Sequence, residues 1–343
     1  MAWVVWRQHR TALIWLGVLL AVAGTVMLVA GIELHRIYAA EIRYGCFGAS
    51  AWSGVCRPLQ TPFTVGWAIN YSDQIVLIMQ VVPVIIGVFL GAQLLAREYA
   101  TGTDRFAWTQ GIGRIRWAAA TLGLLGVAVA VVGGLLGLLN QWSVQPIAVQ
   151  APRYADRWLP GYFDSTALTE ATAALLAFAI GVLAGTLIRR VVPAMAVTAA
   201  CVIIAANLIY DRLHYWLVGQ GLILARDLAL GSYPNIGVPS SGVLPIREPV
   251  GPATPGPAGA WLDQGWYTNA SGHRLNAATV TQLLNRYTGT GTAWLTRMHD
   301  TFWITYQPGW RYWIFQVALG GGLLLAALLL GAAAIGLIWC RRA

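Results

Sequence analysis

Six stretches of this chain are each long and apolar enough to cross a lipid bilayer, and that pattern constrains the fold more than any other feature. A spanning helix needs roughly 20 mostly apolar residues, because hydrocarbon offers a backbone no partner outside its own helix. Residues 11–32, 74–95, 117–140, 166–188, 193–209 and 312–339 meet that requirement, and the fifth stretch has an apolar continuation toward residue 216. Only 10% of the 343 residues are charged, against about 25% in a soluble domain. Lipid is therefore the main solvent. The first stretch has too long an apolar core for a cleaved signal peptide and no small-residue cleavage site after it, so it reads as a retained span.

The distribution of arginine sets the expected orientation. With the N-terminus inside, the cytoplasmic pieces are 1–10, 96–116, 189–192 and 340–343. They hold ten arginines against Glu98 and Asp104, which accounts for +8 of the net +9. Positive charge collects on the cytoplasmic side of membrane proteins, so both termini are expected there. The basic balance reflects topology and not a nucleic-acid surface. Tryptophan agrees: Trp117 to Trp142 and Trp313 to Trp339 each span about 38 Å along a helix, which places an indole near each headgroup layer. Trp3 and Trp6, beside Arg7, His9 and Arg10, suggest an amphipathic inner-surface helix over 1–10, with a plain extension of the first span as the alternative.

The fold class read from this pattern is an all-α integral membrane protein with six spans. Spans one to five fill 11–209, the loop 96–116 lies inside, and span six with its tail fills 312–343. Between spans five and six, residues 210–311 make a roughly 100-residue extracellular insertion, long enough for a small α+β domain. Its first part, 231–259, carries seven prolines and reads as irregular chain. A hairpin turning near Asn269–Gly272 and a helix over 277–287 are predicted to follow. Cys46 and Cys56 share one polar loop. They form a disulfide if that loop faces an oxidising compartment and remain two thiols otherwise.

Several chemistries are disfavoured. All 22 basic residues are arginine, so the lysine that a P-loop extends to nucleotide phosphates does not exist here. If ATP drives this protein, another chain binds the ATP and Mg, and this chain carries no cofactor. Span centres contain no Asp, Glu, Arg or His, with Asp73 and Glu170 at span edges, which speaks against a proton-coupled pump or an intramembrane hydrolase. A membrane-anchored enzyme would place its chemistry outside, on residues such as Asp263, His273 or His299. A ligand-sensing membrane subunit is the other alternative.

Small residues and amides mark the spans instead. Ala177, Gly181 and Gly185 recur every four residues and predict a close-packing face. Gln80, Pro83, Gly87 and Gly91 share one stripe of the second span, which suits either a translocation path or helix packing, and Pro83 predicts a kink. Asn140, Asn207 and Gln316 suit substrate contact or interhelical hydrogen bonds. The loop after the second span reads Ala96-Arg-Glu-Tyr-Ala-Thr-Gly-Thr103, then Ala107-Trp-Thr-Gln-Gly111 and the basic pair Arg114 and Arg116. A short mixed-charge helix leaving the membrane suits docking in a cleft of a soluble partner, and a merely solvated loop is the alternative.

With that loop, with Thr305-Tyr-Gln-Pro-Gly-Trp-Arg-Tyr-Trp313 and Gln316 entering the last span, and with Trp6-Arg-Gln-His-Arg10 before the first, the chain resembles permease subunits of type-2 ATP-binding-cassette (ABC) exporters, notably actinobacterial ones. The resemblance implies a homo- or heterodimer of permease halves and two cytoplasmic ABC ATPase subunits. It implies that the 96–116 loop is a coupling element in which Arg97, Glu98, Gly102, Thr103 and Asp104 meet the ATPase. In such a permease the stripe and the amide noted above would place a path along Gln80, Pro83, Gly87 and Asn207, and the uncharged spans together with the family point to efflux of a hydrophobic or amphiphilic cargo such as a drug, antibiotic, peptide or lipid.

Overall fold

The computed structural model describes residues 2–46, 56–64, 66–101, 114–150, 156–219, 222–226, 244–249, 260–276 and 301–340, with Gly54, Ala278, Thr279 and Gln282. Helix α1 runs unbroken over Ala2–Tyr44. It continues past the predicted span end at residue 32. There His35 stacks on Trp142 with ring centroids 4.8 Å apart, and its Nε2 donates to the Trp142 carbonyl at 2.9 Å. A disulfide joins Cys46 to Cys56 with a Cα separation of 5.3 Å, and α2 follows over Cys56–Thr64. The second span is α3, Trp67–Ile86, a π-helical segment Gly87–Ala92, and α4, Gln93–Thr101. After it come α5 (Arg114–Gln150), the short α6 (Pro160–Phe163), α7 (Ala167–Ile188) and α8 (Val191–Leu208). A π segment, Ile209–Leu213, and α9, His214–Val218, carry the fifth helix onward, as the apolar continuation toward 216 suggests. Helix α10, Tyr312–Cys340, is the last. Six helices among the described residues are long and apolar enough to cross a membrane.

The boundaries of α7 follow from local chemistry. Thr166 caps its N-terminus: its side chain accepts from the Thr169 N–H, and Thr169 Oγ1 accepts from the Thr166 N–H at 3.1 Å. This reciprocal pairing satisfies two amides that the helix itself cannot. At the other end Arg189 adopts φ 59°, the left-handed conformation that ends helices. Only Arg189 and Arg190 separate α7 from α8, and Pro193 sits in the first turn of α8, where a missing N–H costs nothing.

The chain divides into two compact units. The first comprises Met1–Ile147, Pro160–Leu213 and Gln316–Ala343. Its centre is α7, and small residues let other backbones reach it. A Cβ at Gly87 would lie 2.7 Å from the Ala177 carbonyl oxygen, one at Gly91 2.6 Å from that of Phe178, and one at Gly185 2.7 Å from that of Ala92. The stripe of Ala177, Gly181 and Gly185 thus packs against the π segment. Toward its N-terminus α7 receives α5 in the same way, since a Cβ at Gly137 would meet the Thr166 oxygen at 2.7 Å. The π segment widens the helix where this contact occurs, one turn after Pro83 removes a backbone donor.

The second unit comprises Ala148–Leu159 and His214–Phe315. Its strands β1 (Ile223–Arg226), β2 (Leu244–Pro249), β3 (Trp261–Thr268) and β4 (Thr301–Gln307) form an antiparallel sheet of order β1-β4-β3-β2. Two expectations need correction. Residues 244–249 lie in the proline-rich stretch read as irregular, yet form β2, because an edge strand tolerates Pro245 and Pro249. The turn at Asn269–Gly272 forms, with Gly272 at φ 82° and the Asn269 side chain accepting from the His273 N–H at 2.8 Å. Among the described residues the returning arm, however, makes only the bridge between Thr268 and Arg274, and the strand partners of β3 are β2 and β4. The helix predicted over 277–287 lies largely outside the described residues. In this unit Trp158 is fully buried, edge-on to Tyr312 at 5.4 Å and to Phe315 at 6.1 Å.

Candidate functional site

Two regions of the first unit hold the residues that the sequence singles out. The first is the end of α4. Ala92, Ala96 and Ala194 form a buried cluster packed against Ile188, Val191 and Met195. Gln93 Nε2 contacts Met195 Sδ at 3.5 Å, and the Arg189 guanidinium lies 5.5 Å from the Tyr99 ring centroid. Helix α4 is therefore fastened to the α7–α8 turn by tight alanine packing below and a cation–π contact above. Arg97 is exposed and Glu98 half-buried on this helix, with exposed Arg190 on the turn. Gly102, Thr103 and Asp104 lie outside the described residues.

The second region is a cavity of about 80 Å³ where α3, the α6–α7 segment, α7, α8 and α10 meet. Gln80 and Pro83 line it. Gly87 and Asn207 do not: Gly87 is buried in the contact with α7, and the exposed Asn207 donates to the Ile203 carbonyl of its own helix at 2.7 Å. Asn140 and Gln316 take the interhelical role, with Asn140 donating to Ser165 Oγ at 3.2 Å. Gln316 accepts from Thr166 Oγ1 at 2.7 Å and donates to the Phe163 carbonyl at 2.9 Å.

Two acids also line the cavity. Glu170 stands at the edge of its span as expected, but only 3% of it is exposed, and its Oε1 has no hydrogen-bond partner. Asp164, between α6 and α7, has both carboxylate oxygens shielded and unpartnered. Sequence reasoning passed over Asp164 because it lies outside any apolar stretch.

Burial pushes the Asp164 carboxyl up from its usual 3.8 to about 8. The folded state then holds this proton more tightly than the unfolded state. The stability it contributes is complete below about pH 4 and is lost as pH rises toward 8. Thermal unfolding of the purified protein should show a falling midpoint across that window, and Asp164→Asn should flatten the Asp164-dependent part of the profile.

Among the alternative catalytic candidates, His273 is an exposed turn residue whose Nδ1 lies 3.2 Å from Ser271 Oγ. Asp263 is half-buried on β3. His299 lies outside the described residues.

Six apolar helices among the described residues, with the second span, α5, α8 and α10 packed on the small-residue helix α7, define a multi-pass membrane protein. The model of the ABC-2 membrane transporter related family matches residues 5–213, more than half of the 343-residue chain, and the protein belongs to that family. It is a permease subunit of an ABC transporter, and membership implies association with ABC ATPase subunits. No curated protein and no solved structure matches the chain.

Proposed function

We propose that the chain is the membrane half of an ATP-driven exporter that moves a hydrophobic or amphiphilic cargo out of a bacterial cell. It carries no hydrolytic site of its own: two ABC ATPase subunits bind ATP and Mg on the cytoplasmic side, and a second permease subunit completes the path. The observation that carries this reading is the attachment of α4. A helix bearing Arg97 and Glu98 emerges from the second span and is clamped at Ala92 and Ala96 to the α7–α8 turn. A push delivered by an ATPase at Glu98 would pass along α4 into the π segment and its contact with α7. Paired elements that slide against each other in small steps are a common route for such shifts. The arginines at this end, Arg97, Arg116, Arg189 and Arg190, support a cytoplasmic location. The Cys46–Cys56 disulfide supports an oxidising environment for its own segment.

The test is reconstitution with the cognate ATPase. Glu98→Ala should leave ATP hydrolysis running while vesicle transport is lost. An ATPase that fails to co-purify with the wild-type chain, or transport that survives the substitution at full rate, sinks the reading.

A further inference from the structure

We infer that the cavity between α3, α7, α8 and α10 binds the ammonium head of a lipophilic primary amine, held by Asp164 and Glu170. Three carboxylate oxygens there are buried without a partner: Asp164 Oδ1, Asp164 Oδ2 and Glu170 Oε1. Buried polar atoms in folded proteins are almost always satisfied, and those that are not need an explanation. Two acids lining one small apolar cavity repel each other when charged, and each lacks a basic partner among the described residues that line it. A bound cation removes both penalties. A primary ammonium offers three N–H donors, which match the three unpartnered oxygens in number once the cation displaces the proton that burial otherwise keeps on Asp164.

The rest of the wall suits calcium and magnesium poorly. Leu176, Ile180, Val202, Ala206, Leu319 and Leu323 line much of it, with Gln80, Ser165 and Thr169 as the polar side chains beside the two acids, whereas calcium takes six to eight oxygen ligands and magnesium retains its waters. A drug-sized ligand fills roughly 300–1,000 Å³. At about 80 Å³ this cavity admits a headgroup and not a whole molecule. Leu176, Ile180 and Ala206 are only half-buried, so the space is not sealed and an apolar tail can continue along them. This assignment deepens the exporter reading, on which the status of the amine as cargo rests. Binding itself does not require that reading.

The probe is dansylcadaverine, a fluorescent molecule with one primary amine, compared with its N-acetyl derivative, which keeps the shape and loses the charge. Binding to the full chain in lipid nanodiscs is read by energy transfer from tryptophan, with protein-free nanodiscs subtracted for partitioning. The amine should bind saturably and about thirtyfold or more tighter than the acetyl form. Glu170→Gln and Asp164→Asn should each reduce amine binding by a similar factor without changing the acetyl form. Equal affinity for both probes in the wild type overturns the proposal whether or not the variants fold. So does a lack of saturable amine binding, as expected if the acids hold only protons, and so does amine binding that survives both substitutions. No ATP or ATPase enters the measurement. Failure of coupling at Glu98 leaves this result standing, and failure here leaves ATPase association intact.

Discussion

Replacing Gly181 by valine should abolish the folded bundle. A Cβ at this position would collide with the Gly87 carbonyl oxygen, and it would lie 2.7 Å from the Ala92 nitrogen and 2.9 Å from the Gly91 carbonyl carbon. All three obstacles are backbone atoms of the π segment, so no side chain can rotate away. Relief requires the second span to separate from α7, which also breaks the contacts at Gly87, Gly91 and Gly185. Overpacking usually costs about 1–3 kcal/mol where side chains can yield, and here the penalty should exceed that range. Gly322→Val is the control, because a Cβ at Gly322 would have open space around it. Size-exclusion profiles and thermal unfolding of the two variants in detergent provide the comparison. Gly181→Val should lose its monodisperse peak or unfold far below the wild type, while Gly322→Val should match it. Identical behaviour would mean that α7 and the π segment do not meet as described.

That interface also marks how far the sequence could be read. The four-residue spacing of Ala177, Gly181 and Gly185 announces a close-packed face, because only small side chains let helix backbones touch. It does not announce the partner. Gly87 and Gly91 share a stripe with Gln80 and Pro83, and on one helical stripe a path and a packing face look alike. The π segment separates them. Gly87 and Gly91 are spent on α7, whereas Gln80 and Pro83 line the cavity. Apolar length located the spans because bilayer thickness is a physical ruler. It failed at the end of α1, placed at residue 32 although the helix continues through Glu33, His35 and Arg36 to Tyr44. Charged residues leave hydrocarbon, but nothing obliges the helix to stop with it. The same blindness hid Asp164, whose burial arises from how α6 and α7 fold back over α3 and not from its neighbours in sequence. Proline was misleading at β2 for the converse reason: it forbids a central strand and permits an edge one, and only the sheet order reveals which applies.

Gln316→Leu should loosen the head of α7, and its effect should depend on what stands at residue 166. Gln316 is fully buried, with Thr166 Oγ1 donating to its Oε1 and its Nε2 donating to the Phe163 carbonyl. Interhelical hydrogen bonds inside membranes average about 0.6 kcal/mol, with a maximum near 1.7. Leucine removes two of them and leaves a buried hydroxyl without its longest-range partner, so a loss of about 1–3 kcal/mol is expected. Thr166→Val alone should cost about 1 kcal/mol or more, since it removes the cap of α7 and strands the Gln316 oxygen. The double variant separates a specific bond from general packing. If Thr166 and Gln316 act as a pair, removing both leaves fewer unsatisfied groups than the two single changes imply, and the combined loss falls short of their sum. Strict additivity in thermal or denaturant unfolding would show that the two side chains do not interact. The outcome bears on the cavity as well as on stability. Thr166 lies between Ser165, which lines the cavity, and the first turn of α7, which carries Glu170. The knot tied by Gln316 therefore fixes where both acids stand.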